Sequence, residues 1–314
     1  MLNRRLLRIK VFQALYSYQL DEARDLKSVE KYLEKSLKNV EDEYVLLLSL
    51  PIEIRYYVEN EQNPEEILYV PSKQDIETGK TFIYNKLINK LDQNDELKRK
   101  LKSSGHNWYQ NKDVMRMLFN GFKTSNYFVK YLGNEDRGYE AQRKLMLQFF
   151  KDYLPKQEEL DIHMEELFIH WNDDKKAIFN SLSKTLEDIK GEDDNLSLKP
   201  LSEDYAEDWK FCRSLLHYTI EQQDYVTGLI TEKTKKWDAD RIAEVDLILM
   251  RMALVELLNF VNIPVKVTIN EYLELAKIYS TPKSSVFLNG VLDKIMNELK
   301  QEGKIKKVGR GLVE

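Results

Sequence analysis

Arg4, Arg5 and Arg8 lie within a turn or so of one another if the segment that carries them is helical. Guanidinium groups at that spacing can grip phosphate oxygens through paired hydrogen bonds, and a helix would fix the distances between them. Tyr16 and Tyr18 follow, with aromatic faces on which unpaired bases can stack. The chemistry in view is the binding of single-stranded nucleic acid. A solvated, positively charged helix start has the same composition, so the cluster alone is a weak signal.

Two other places carry informative residues. In the apolar run Ala243 to Phe260, Asp246 and Arg251 are charges that must pair internally or face solvent or a partner. Five positions apart, they do not share a face. Arg251 reads either as a structural residue held by Glu271 or Glu244 or as a partner contact, and Asp246 is the better candidate for an exposed partner contact. The second place is Phe287-Leu-Asn-Gly-Val-Leu-Asp-Lys294, with Lys277 and Lys283 flanking the loop before it. Glycine costs about 1 kcal/mol against alanine inside a helix. Gly290 after Asn289 therefore signals a spatial requirement: close approach of a ligand, or close helix packing.

Catalytic chemistry has no comparable support. His106, His163, His170 and His217 are scattered, and His163 and His170 would stand roughly 10 Å apart along a helix, too far to share a metal without other ligands. Asn120-Gly121 and Leu132-Gly133 read as isolated helix-end glycines rather than phosphate loops, and no cofactor motif occurs. The reading is of a protein without catalytic residues, metal or cofactor. The single cysteine, Cys212, sits in a helical pattern as a small core hydrophobe, which fits the cytoplasm.

Helices must position these residues. Eleven Gly and seven Pro among 314 residues argue for helices joined by short loops, in one large domain or a small domain with a long insertion. Leu7, Val11, Ala14, Leu15 and Tyr18 form one stripe of helix 1, and Ile9, Phe12, Tyr16 and Leu20 a second on the opposite face, so two sides should be covered. Further helices are expected at about 27–39, 41–59 with a break near Pro51, 74–92, 109–121, 137–153 and 156–171, where Trp171 closes the last. Asp238 or Asp240 can cap a central helix from Arg241, Thr268 to Glu271 have capping-box spacing, Ser284 or Ser285 can cap the final helix and Gly303 can end it. No apolar run reaches the roughly 18 residues of a membrane helix.

Net charge is −5, unevenly distributed. Residues 151–210 hold 8 Lys/Arg against 17 Asp/Glu, whereas the first 20 residues hold four basic residues and no acid. The stretch 191–200 lacks periodicity and reads as a linker.

Three segments resemble the NusB family: Arg4 to Leu20, Ala243 to Leu257, and Lys266 to Lys277 with Phe287 to Lys294. The resemblance implies an all-α, NusB-like helical bundle formed discontinuously by 1–40 and 203–300. Additional helices are inserted at 41–202, and 301–314 form a basic tail. It further implies binding of single-stranded boxA-type RNA of ribosomal RNA leaders, pairing with the ribosomal protein NusE, and a place in the transcription elongation complex. Carried over by residue, Arg4, Arg5, Arg8, Tyr16, Phe287, Asn289 and Gly290 become RNA-binding candidates and Asp246 a partner-binding one; Lys277, beside the loop, joins the first group and Arg251 the second on the reading of their own positions. The chain departs from the family pattern at Leu6, Lys283 and Val286. Two other functions fit an all-helical chain: an RNA-binding appendage of ribosomal RNA modification machinery, and a protein-interaction scaffold working through the acidic middle.

Overall fold

The computed structural model describes residues 1–21, 25–61, 73–109, 111–234 and 242–312. Fifteen α-helices and no strand occur among them: α1 Arg4–Leu20, α2 Leu26–Glu61, α3 Lys73–Ile83, α4 Lys86–Asp92, α5 Asp95–Ser104, α6 Lys112–Lys123, α7 Asn126–Leu132, α8 Tyr139–Gln148, α9 Glu158–Leu167, α10 Trp171–Glu187, α11 Tyr205–Glu221, α12 Gln223–Thr234, α13 Glu244–Asn259, α14 Val265–Tyr279 and α15 Ser284–Gln301. The all-α expectation holds. The chain divides into two compact units, one of residues 3–37 and 204–314, the other of residues 38–203 with Met1 and Leu2.

In the first unit α13 is the central element. Ile248, Leu249, Met250 and the run Met252 to Leu257 are buried, and α1, α11, α12, α14 and α15 all pack on this helix. Each fully buried Leu or Met contributes about 1.5–3 kcal/mol, which is why an element apolar on nearly every side must sit inside. The expected caps at Asp238 and Asp240 fall outside the described residues. Both stripes of α1 are covered at their N-terminal ends: Ile9 and Phe12 are buried, and the Phe12 ring lies 4.9 Å from that of Tyr279 in α14. Tyr16 and Leu20, at the far end of the second stripe, remain exposed.

Helix ends differ from expectation in informative ways. Asn3 caps α1, its Oδ1 accepting from Leu6 N at 2.9 Å. α14 starts at Val265 behind Pro264, so Thr268 and Glu271 lie inside the helix and serve tertiary contacts rather than a capping box. Ser284 is the first residue of α15, which has no side-chain cap at its start. Gly303 does end α15: at φ +65° it lets its own N–H donate to Lys300 O and Lys304 N to Leu299 O.

The second unit has an aromatic core. Phe82, Phe122 and Phe128 are fully buried and in mutual ring contact, and Phe149, also fully buried, packs on Phe122. α2 runs unbroken through Pro51, contrary to the expected break, because Val45 to Ile52 are buried and tertiary packing outweighs the lost backbone bond. Where one helix was expected over 74–92 there are two, α3 and α4. Asn85 separates them, its Oδ1 accepting from Leu87 N and Ile88 N. Trp171 opens α10 rather than closing α9, and its indole N–H donates to Asp161 at 2.9 Å. Gly121 lies inside α6, not at its end, because a Cβ there would collide with the Tyr153 hydroxyl that bonds Leu118 O. Residues 189–204 carry no regular structure, in keeping with the aperiodic stretch.

Candidate nucleic-acid interface

The N-terminal end of α1 opens on a groove of about 1140 Å³. Arg4, Arg5 and Lys210 supply its positive charge, Phe211, Tyr218 and Phe260 its aromatic surface, and Asn259 and Asn262 side-chain amides. The rings form one cluster: Phe260 lies edge-on to Phe211 at 5.2 Å and to Tyr218 at 6.2 Å. The Arg4 guanidinium sits 4.7 Å over the Phe211 ring. Phe211 is itself buried, Phe260 is half-buried and Tyr218 is exposed, so Tyr218 and the open edge of Phe260 are the rings a ligand can reach. Cations beside accessible aromatic rings are what a single strand of RNA requires, phosphates for the first and bases for the second.

Each exposed arginine is held by a carboxylate. Arg4 Nη2 lies 2.7 Å from Glu207, and Arg5 makes two parallel bonds of 2.9 Å to Glu271. The bonds to Glu271 raise the Arg5 pKa, and the same bonds lower that of Glu271. Arg5 is still 44% exposed at its side chain and Arg4 42%, so both present N–H groups to the groove. Lys210 is exposed and has no ion pair among the described residues.

Arg8 lines the same groove but, unlike Arg4 and Arg5, it is buried. Its side chain is 2% exposed and makes paired bonds of 2.8 and 2.7 Å to Glu256, itself fully buried on α13. Thr268 and Tyr272 of α14 donate to the same carboxylate at 2.8 and 3.1 Å, so Glu256 accepts four hydrogen bonds. Burial opposes the Arg8 charge, but the bonds and attraction of Glu256 outweigh it and raise the pKa. Burial drives the Tyr272 hydroxyl pKa well up. The network ties α1 to α13 and α14, so Arg8 sets where Arg4 and Arg5 stand.

The other candidates are not gathered at this groove. α1 and α14 run in the same direction, since Arg5 meets Glu271 and, further along both helices, Phe12 meets Tyr279. Tyr16 is 37% exposed beside Phe12 near the far end of this pair, where Lys277 is exposed in the last turn of α14 and bonded to Glu274. Phe287 and Asn289 lie about 200° apart around α15 at 3.6 residues per turn, so the motif does not present one face. Asn289 lines a separate groove. Gly290 is exposed with nothing within 4 Å of a would-be Cβ, which excludes close helix packing as its reason.

A family profile, that of the NusB family, matches residues 176–297. Among curated relatives, the transcription antitermination protein NusB of Salinibacter ruber is 40% identical over 114 residues, which are 36% of this chain and 71% of that protein. That of Chloroherpeton thalassium is 40% identical over 117 residues, 36% of this chain and 56% of the relative, and that of Bacillus pumilus 38% over 99 residues, 32% and 76%. The chain belongs to the NusB family. No solved structure matches it significantly.

The NusB match begins within α10, runs through α11 to α14 into α15 and leaves α1 outside, yet α1 lies in the same compact unit as α11 to α15. About two thirds of the chain is extra to the aligned NusB regions. Within the NusB region the expected exposure of Asp246 and the expected carboxylate partner of Arg251 need correction. Asp246 is 5% exposed, so as placed its side chain presents no charge to a partner. Arg251 is half-buried and donates to Thr227 at 2.9 Å; neither Glu271 nor Glu244 is hydrogen-bonded to it, though Glu244 attracts it through space. Burial lowers the Arg251 pKa.

Lys210, Phe211, Tyr218, Asn259, Phe260 and Asn262 are groove residues that sequence reasoning missed. The only local signals were aromatic and amide residues at a helix end, in Asn259-Phe-Val-Asn262, and a lysine beside aromatics in Trp209-Lys-Phe211. Their convergence on α1 depends on contacts over some 200 positions, illustrated by Arg4 with Glu207.

Proposed function

We propose that this NusB-family protein is a transcription antitermination factor that binds single-stranded boxA-type RNA of ribosomal RNA leaders, together with the ribosomal protein NusE, in the cytoplasmic transcription elongation complex. The observation that carries the RNA reading is the groove itself, with Arg4, Arg5 and Lys210 beside the rings of Phe260 and Tyr218. Phosphates bond the two arginines and Lys210, bases stack on Tyr218 and Phe260, and the amide of Asn262 meets base edges, the Asn259 amide being taken up by Gln222 and Val255 O. Glu207 and Glu271 are the anions that phosphates displace from Arg4 and Arg5 when RNA arrives. Arg8 acts as a positioning residue. Among the described residues no helix is long and apolar enough to cross a membrane.

The test is a titration with boxA-type RNA and a scrambled strand, each with and without NusE. Tighter binding of the boxA strand, strengthened by NusE, supports the reading. Equal binding of both strands, unaffected by NusE, removes the boxA and NusE assignments, and no binding of either removes RNA altogether.

A further inference from the structure

Beyond Gly303 the chain turns back along its own unit. Val308 N donates to Val261 O at 3.0 Å and Lys307 Nζ to Phe260 O at 2.9 Å, which fastens the tail to the turn between α13 and α14. The tail, the first turns of α14 and one face of α15 thereby enclose a second groove of about 710 Å³. Its floor is apolar, with Ile269, Met296 and Ile305, and its rim carries Lys266, Lys300 and Lys306 against a single carboxylate, Asp293. All three lysines are exposed and none has an ion-pair partner among the described residues. They differ in this from Arg4 and Arg5, each of which is already paired.

The two grooves adjoin. Ile263, Pro264 and Val267 line the first and Val265, Lys266 and Ile269 the second, so the first turn of α14 is the ridge between them. Three unpaired ammonium groups, the amides of Asn270 and Asn289 and no aromatic ring suit a sugar-phosphate backbone better than stacked bases.

We propose that an RNA strand held in the first groove crosses this ridge and continues into the second, where Lys266, Lys300 and Lys306 take its phosphates. The inference rests on the RNA reading above and extends it to a longer footprint, built in part by the C-terminal tail. It also gives Asn289 a role at the backbone of the strand rather than beside Phe287.

The experiment compares the full chain with the triple variant Lys266→Gln, Lys300→Gln, Lys306→Gln, using single-stranded RNAs of about six and about twelve nucleotides, a range typical of single-strand sites. All three positions are exposed, and an unchanged far-UV circular dichroism spectrum checks the fold. Each phosphate contact on a single strand contributes about 0.7 to the slope of log affinity against log salt, so the variant should flatten that slope by about 2 for the longer RNA. Between about 50 and about 200 mM salt the parent would then lose about 18-fold more affinity than the variant. The short RNA should bind both proteins within about twofold. An unchanged slope for the longer RNA overturns the proposal, as does an equal loss for both lengths. Polyglutamate that binds the parent but not the variant, with RNA binding untouched, also overturns it and assigns the groove to an acidic protein. If the parent binds neither RNA, the underlying RNA reading has failed and this extension falls with it.

Discussion

Arg8 and Glu256 offer the sharpest energetic prediction. Replacing Arg8 by Met leaves a buried carboxylate with two hydroxyl donors, from Thr268 and Tyr272. Removing one partner of a buried pair costs about 3–5 kcal/mol. Replacing Glu256 by Leu is worse, because it leaves the guanidinium charge and both hydroxyls without their acceptor; the stranded hydroxyls add about 1–3 kcal/mol. The double variant removes both charges and leaves only the hydroxyls, so it should lose about 1–3 kcal/mol and be more stable than either single variant. Because the chain has two units, a single melting curve would mix their transitions. Hydrogen exchange of the slowest amides of α13 and α14 isolates the relevant unit. At about 1.4 kcal/mol per decade, Arg8→Met should speed that exchange by about two to three and a half decades. Additive losses in the double variant, or an Arg8→Met loss below about 1 kcal/mol, would refute the assignment of Arg8 to the core.

Glu271→Gln should bind RNA a few-fold more tightly, since it removes an anion that competes for Arg5, an exposed pair worth about 1 kcal/mol or less; a titration showing weaker binding would count against the groove. The bond to Arg5 lowers the Glu271 pKa, so the pair's contribution to stability is present above the carboxylate's ordinary value of 4.5 and is lost as pH falls through the lowered folded value. The same variant should therefore flatten the acid limb of this unit's stability, measured by exchange at successive pH values. Gly290→Ala should stabilise the unit by about 1 kcal/mol, because the site is helical and open; a destabilised variant would mean a packing constraint. Burial raises the Cys212 thiol pKa, so native protein should resist alkylation at neutral pH until the unit opens, as mass spectrometry would show.

Much of the fold was legible locally, because helical apolar spacing survives any tertiary arrangement. The density of apolar residues in α13 announced a central element, and Gly303 announced a helix end. The misreadings share a cause. Pro51, Thr268 and Glu271 have strong local meanings as breaker and cap, and each is overruled by partners distant in sequence. The site divides in the same way. Arg4 and Arg5 were visible as a cluster, but nothing near Arg8 reveals that its partner is Glu256, 248 positions away. Asp246 misled for a related reason: a charge in an apolar helix suggests a partner surface, whereas the packing of this unit buries it.

Photo-crosslinking of boxA-type RNA to the full chain, with the attached peptides mapped by mass spectrometry, tests the central claim most directly. Crosslinks within residues 209–218 and 258–264, lost on Arg4→Ala with Arg5→Ala, are predicted by a strand lying against Tyr218 and Phe260. Crosslinks confined to residues 38–203, and indifferent to the two arginines, would contradict it.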